Sequence, residues 1–194
     1  MPTPGSHSHD VRGTRPRDSR SAPPGARSDR ASGPYGERTA GGDPGAVIEL
    51  RSPAFSDQTR IPVRYSRLGD NVSPPLEWGD VPEATAELAL LCEDPDAPSG
   101  TFLHWLVTGL PPHVRSLREG VTPPDATSWA NDFGEPAYGG PQPPVGDDAH
   151  RYFFRLFALG SPLDIPPDAR VDSVRRRLRE EALATGTLVG LFAR

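Results

Sequence analysis

The stretch from Leu88 to Pro98, reading Leu-Ala-Leu-Leu-Cys-Glu-Asp-Pro-Asp-Ala-Pro, constrains this chain more than any other. Its first half is apolar without a break, the pattern of a strand covered on both faces. Its second half sets Asp94 and Asp96 among prolines, which fix φ and restrict the residue before them. A strand that ends in a stiff acidic turn makes a poor core and a good place to hold something. Two later stretches supply partners, Phe102-Leu103-His104-Trp105 and the run His150 to Leu159. In that run a period of two puts His150, Tyr152, Phe154 and Leu156 on one face.

The rest of the body predicts more strands. Val47–Leu50 is a short strand, and Ile61–Tyr65 an edge strand, because Pro62 cannot donate to a ladder. Residues 72–78 are extended with Leu76 and Trp78 on one side, and residues 86–92 and 102–109 are strands. Pro123–Gly146 has no periodicity but carries Trp129, Phe133 and Tyr138, which favours a packed, functional loop. One helix is expected over 169–183, capped by Asp168, with Val171, Val174, Leu178 and Ala182 on one stripe. Its arginines read as a solvated face with i,i+4 pairs. Gly186 should end that segment, and Thr187–Phe192 should return as a last strand. Many strands and one late helix predict an all-β-dominated single domain.

Composition separates this body from what precedes it. Residues 1–45 hold few large apolar side chains (Met1, Val11 and Tyr35) among many prolines, glycines and serines. So little apolar surface cannot offset chain entropy, which predicts a disordered Pro/Gly/Arg-rich tail and a domain over 46–194. Seven arginines against five acids leave the tail at +2 and the remainder at −7 of the chain's −5. Acids interspersed with the arginines read as a solvated extension, and the acidic body has no basic stripe, so nucleic acid is not expected as a partner. One cysteine, Cys92, excludes an intramolecular disulfide and a cysteine zinc site. No apolar run approaches the roughly 20 residues of a membrane span, so no stable membrane insertion is expected. No apolar leader is seen, and the cytoplasm is the expected compartment.

A set of short motifs occurs in order along the body: Ser52-Pro53-Ala54-Phe55, Asn71-Val72-Ser73-Pro74-Pro75-Leu76-Glu77-Trp78, Asp94-Pro95-Asp96-Ala97-Pro98, His104-Trp105-Leu106-Val107, Asn131-Asp132-Phe133-Gly134, Tyr138-Gly139-Gly140-Pro141 and His150-Arg151-Tyr152. In these the chain resembles the phosphatidylethanolamine-binding protein family, in its bacterial and archaeal Raf-kinase-inhibitor-like branch. The resemblance implies an antiparallel β-sandwich with a C-terminal helix. It also implies a small pocket for phosphate or phosphorylated headgroups, matched here by Asp94, Pro98, His104, Gly140, Pro141, His150 and Tyr152. It further implies a non-catalytic binding or regulatory role without a cofactor, a kinase or protease among the protein partners, and a homodimer as one option. The chain departs from its relatives in two places. Arg67 and Gln142 stand where many of them have cysteines, and Asp147 and Asp148 occupy a loop that is often glycine-rich or neutral. Two carboxylates there would oppose a dianionic ligand.

Imidazole and phenol donate hydrogen bonds to an oxyanion, and an ionised carboxylate does not. Asp94 is therefore expected to orient His104 or His150 and raise that ring's pKa, with Gly140 offering its backbone N–H. About three charge-assisted bonds at roughly 1.5–3 kcal/mol each, against an association cost of roughly 4 kcal/mol or more, predict weak, millimolar phosphate binding. The alternative is a metal-assisted hydrolase using Asp94, His104 and His150. Against it, the sequence has no HExxH, GxSxG or phosphate-cradling motif.

Overall fold

The computed structural model describes residues 46–166 and 169–194. The expected tail, and Asp168 as a helix cap, lie outside the described residues. Ten strands run in chain order: β1 (Ala46–Val47), β2 (Leu50–Arg51), β3 (Thr59–Arg60), β4 (Leu76–Trp78), β5 (Glu87–Asp94), β6 (Phe102–Leu110), β7 (Ser116–Leu117), β8 (Thr127–Ser128), β9 (His150–Leu159) and β10 (Ala182–Phe192), with helix α1 (Val171–Glu181) between the last two. The protein is mostly β-sheet with one helix near the C-terminus.

The large sheet has the order β1-β10-β9-β5-β6-β8, with β3 also on β10. Its long central strands are antiparallel, while β1 and β3 add short parallel pairings at the β10 edge. The sheet is therefore mixed, not purely antiparallel. A small antiparallel sheet, β2-β4-β7, shares one core with its inner face. There Leu50, Leu76, Trp78 and Leu117 pack with Leu88, Leu90, Trp105, Phe154 and Leu156. The outer face carries a second cluster, in which Ala89, Leu91, Leu103, Leu106 and Phe157 meet Val174 and Leu178 of α1. Cover on both faces is why β5 is buried along its whole length and reads as an unbroken apolar run from Leu88 to Cys92.

Three expectations are corrected. Val47–Leu50 is not one strand: β1 joins the large sheet and β2 the small one. Ile61–Tyr65 is not an edge strand. Pairing stops at Arg60, and Pro62 opens a 3-10 turn over Val63–Tyr65, closed by Tyr65 N–H donating to the Pro62 carbonyl. The helix ends at Glu181, and β10 begins at Ala182 and runs straight through Gly186. Pairing along the full length of β9 overrides the helical preference of Ala182-Leu183-Ala184. Gly186 serves a close approach: a Cβ there would stand 2.6 Å from the Ile48 carbonyl oxygen.

Candidate anion site

β9, β5 and β6 are neighbours, and all three are antiparallel. The C-terminal end of β5 therefore lies beside the N-terminal ends of β6 and β9. Register sets Asp94 opposite Phe102, and Glu93 opposite Phe153. Alternation then brings Asp94, Phe102, His104, His150 and Tyr152 to one corner of the inner face. A cavity of about 190 Å³ opens there, and these five side chains line it. The acidic turn adds Ala97, Pro98 and Ser99, and the long loop adds Phe133, Gln142, Pro143 and Pro144. A larger hollow of about 630 Å³ beside β8, lined by Trp129, Leu163 and Ile165 among others, has no titratable group on its wall among the described residues.

The two imidazoles are held in different states. His150 Nδ1 meets Asp94 Oδ2 at 2.8 Å, and both side chains are almost wholly buried. Burial alone would lower the His150 pKa; the hydrogen bond and charge of Asp94, helped by Asp147 and Asp96, outweigh it and leave the pKa raised. His150 Nε2 stands 3.5 Å from Asp147 Oδ2. His104 Nδ1 donates to the Gly139 carbonyl at 2.6 Å, since a carbonyl can only accept. Burial is the main influence on His104 and lowers its pKa. Burial thus favours the neutral form of His104, with Nε2 as an acceptor, while Asp94 favours the cationic form of His150. Tyr152 is buried, and its hydroxyl makes no hydrogen bond of acceptable geometry. Burial, then the Asp94 charge, hold its pKa far above the ordinary value, so the phenol keeps its proton.

Asp96 braces the turn from outside. It takes two bonds from the Arg151 guanidinium and one from the Arg151 N–H, and gives its own N–H to Asp94 Oδ1. The Arg151 guanidinium chiefly holds its pKa down at about 2. The long loop is pinned by Asn131 and Asp132. Asn131 Oδ1 accepts from the N–H groups of Phe133 and Glu135, and Asp132 Oδ2 accepts from Leu103 N–H. This fixes Phe133 against Phe102 and His104. Arg67 lies 4.2 Å over the Phe133 ring and pairs with Glu135.

Of the residues expected at the site, Asp94, Pro98, His104, His150 and Tyr152 converge on the cavity, whereas Gly140 and Pro141 do not line it. The Gly140 N–H is not free for a ligand, because it donates to Asn71 Oδ1 at 2.8 Å. A Cβ on Gly140 would stand 2.3 Å from the Tyr65 carbonyl oxygen, so glycine here serves packing. Reasoning from sequence missed Phe102, Phe133, Gln142 and the Asp147 contact. Phe102 was within reach of it, two residues before His104 on the same strand face.

The class these features define is a two-sheet β protein with a small polar pocket at the end of its central strands. The family model for phosphatidylethanolamine-binding protein matches residues 51–193. A UPF0098 protein of Methanothermobacter thermautotrophicus is 42% identical over 152 residues, covering 76% of this chain and 99% of the relative. Among solved structures, the phosphatidylethanolamine-binding protein homologue CT736 of Chlamydia trachomatis superposes with a TM-score of 0.69 at 35% identity, covering 76% of this chain and 98% of the other. Escherichia coli YbcL gives 0.72 at 28% identity, covering 77% and 99%. The chain belongs to the phosphatidylethanolamine-binding protein family. Among the described residues no helix is long and apolar enough to cross a membrane. One Mycobacterium tuberculosis relative, 41% identical over 145 residues, is named as a candidate lipoprotein, LppC.

Proposed function

We propose that this protein is a non-catalytic binding module whose cavity takes a small oxyanion, phosphate or the phosphate of a headgroup, and that it regulates a partner protein of the kinase or protease type. The observation that carries the reading is the Tyr152 hydroxyl: a buried donor without a hydrogen bond of acceptable geometry, on the wall of a cavity that also holds His150, whose pKa the Asp94 carboxylate raises. An unmade bond of this kind costs about 1–3 kcal/mol, and an oxyanion would supply the acceptor. With His104 neutral, fewer charge-assisted bonds are on offer than the sequence suggests, which keeps affinity near millimolar.

The hydrolase reading would need Asp94, His104 and His150 to share one ion. Here Asp94 is engaged with His150, and the Nδ1 of His104 with Gly139, so the geometry favours binding over metal-assisted chemistry. The cytoplasm remains the proposed compartment, supported by a lone, buried cysteine. The test is a titration with inorganic phosphate, followed through the ring resonances of His104 and His150 at pH 6 and pH 8. Saturable, millimolar binding that is tighter at pH 6 is expected. The absence of any saturable shift at either pH would reject the proposal.

A further inference from the structure

The His150 ring faces a carboxylate at each nitrogen, Asp94 at Nδ1 and Asp147 at Nε2. Asp94 is buried and belongs to the frame of the site. Asp147 is different: its side chain is 43% exposed, on the rim loop between Pro144 and His150. The His150 ring, which can carry at most one positive charge, thus faces two carboxylates, one in the cavity wall and one at its rim, so this corner is net negative before any ligand arrives. Arg151 does not correct the balance, because its guanidinium is paired with Asp96 through Nε and Nη2. The nitrogen that an incoming anion needs is the one Asp147 already faces.

We propose that Asp147 is a specificity-determining residue that makes this site discriminate against doubly charged anions, so that it takes singly charged oxyanions, such as phosphodiesters, in preference to phosphomonoester dianions. This deepens the anion reading and rests on it. The physical basis is charge counting. Each further negative charge on a ligand within about 4 Å of the Asp147 carboxylate meets repulsion worth about fivefold in affinity, even at the dielectric of bulk water, and partial burial raises the factor. A monoanion meets that repulsion once and a dianion twice. Asp148 provides a control, since it carries the same charge one residue further on without an ion pair to His150.

The experiment titrates the full chain with methyl phosphate and with dimethyl phosphate at pH 7.5, where the monoester is mostly a dianion and the diester a monoanion. The ring resonances of His104 and His150 report binding in wild type, Asp147→Asn and Asp148→Asn. In wild type the diester should bind at least as tightly as the monoester. In Asp147→Asn the ratio of the two dissociation constants should move about fivefold toward the monoester, with the ratio in Asp148→Asn unchanged. A wild-type preference for the monoester, an unmoved ratio in Asp147→Asn, or an equal shift in Asp148→Asn would overturn the assignment to Asp147 while leaving the anion site standing. Failure of both esters to bind any of the three proteins would instead bring down the anion reading, and this inference with it.

Discussion

Replacing Asp94 by Asn tests the central pair of the site. Asn keeps an oxygen for the Asp96 N–H but turns an amide N–H toward His150 Nδ1. At 2.8 Å and an effective dielectric near 20, the gross attraction in the wild-type pair is about 6 kcal/mol. Desolvation of two buried charges cancels much of it, and a charge-assisted bond nets about 1.5–3 kcal/mol. The His150 pKa is raised in the folded protein. The stability it contributes is therefore fully present below the unfolded value near 6.5, and is lost as pH rises through the folded value. In Asp94→Asn at pH 5.5 a protonated ring would face a donor, so the ring must lose its proton or the bond must break. The expected loss is about 3 kcal/mol, or ~6–12 °C in Tm for a chain of this size. At pH 8 the neutral ring can accept from the amide, and the loss should shrink to about 1 kcal/mol. Urea unfolding of both proteins at the two pH values measures this. A loss that is equal at both, or larger at pH 8, would refute the assignment of His150 as the charged ring.

Tyr152→Phe removes a buried hydroxyl that has no partner, so it should raise stability by about 1 kcal/mol while weakening phosphate binding about fivefold, read by thermal unfolding and by titration. Gly140→Ala forces a Cβ against the Tyr65 backbone and should destabilise by about 2 kcal/mol in urea unfolding. Glu93→Gln leaves Arg155, Arg175 and Arg179 without their shared buried carboxylate and should cost about 3–5 kcal/mol in the same assay, with Glu180→Gln as an exposed control within about 0.5 kcal/mol of wild type.

The strands that carry the site were legible because their patterns are local. Leu88–Cys92 is apolar throughout because both faces are covered, and His150–Leu156 alternates because one face is not. What sequence could not show depends on distant contacts. Gly186 looks like a helix stop until the segment from Ile48 to Leu50, just after β1, is laid across it. The arginines of α1 look like a solvated face, and Arg176 and Arg177 do pair along the helix with Glu180 and Glu181. Arg175 and Arg179, however, reach inward to Glu93, a contact across some eighty positions that no periodicity announces. The opposite shifts of His104 and His150 were equally hidden, since burial lowers the pKa of the one, whereas the Asp94 carboxylate outweighs burial and raises that of the other.

Glu93 and Asp94 are consecutive, yet they serve opposite sides of the sheet: the first anchors the helix, the second holds the imidazolium. Sliding β5 by one position would exchange their destinations, so the docking of the C-terminal layer and the make-up of the cavity cannot be altered separately by shifting that strand. The rim from Pro144 to Ala149 carries no such double duty. Substitutions at these exposed positions would reshape the mouth of the cavity while the frame stays put.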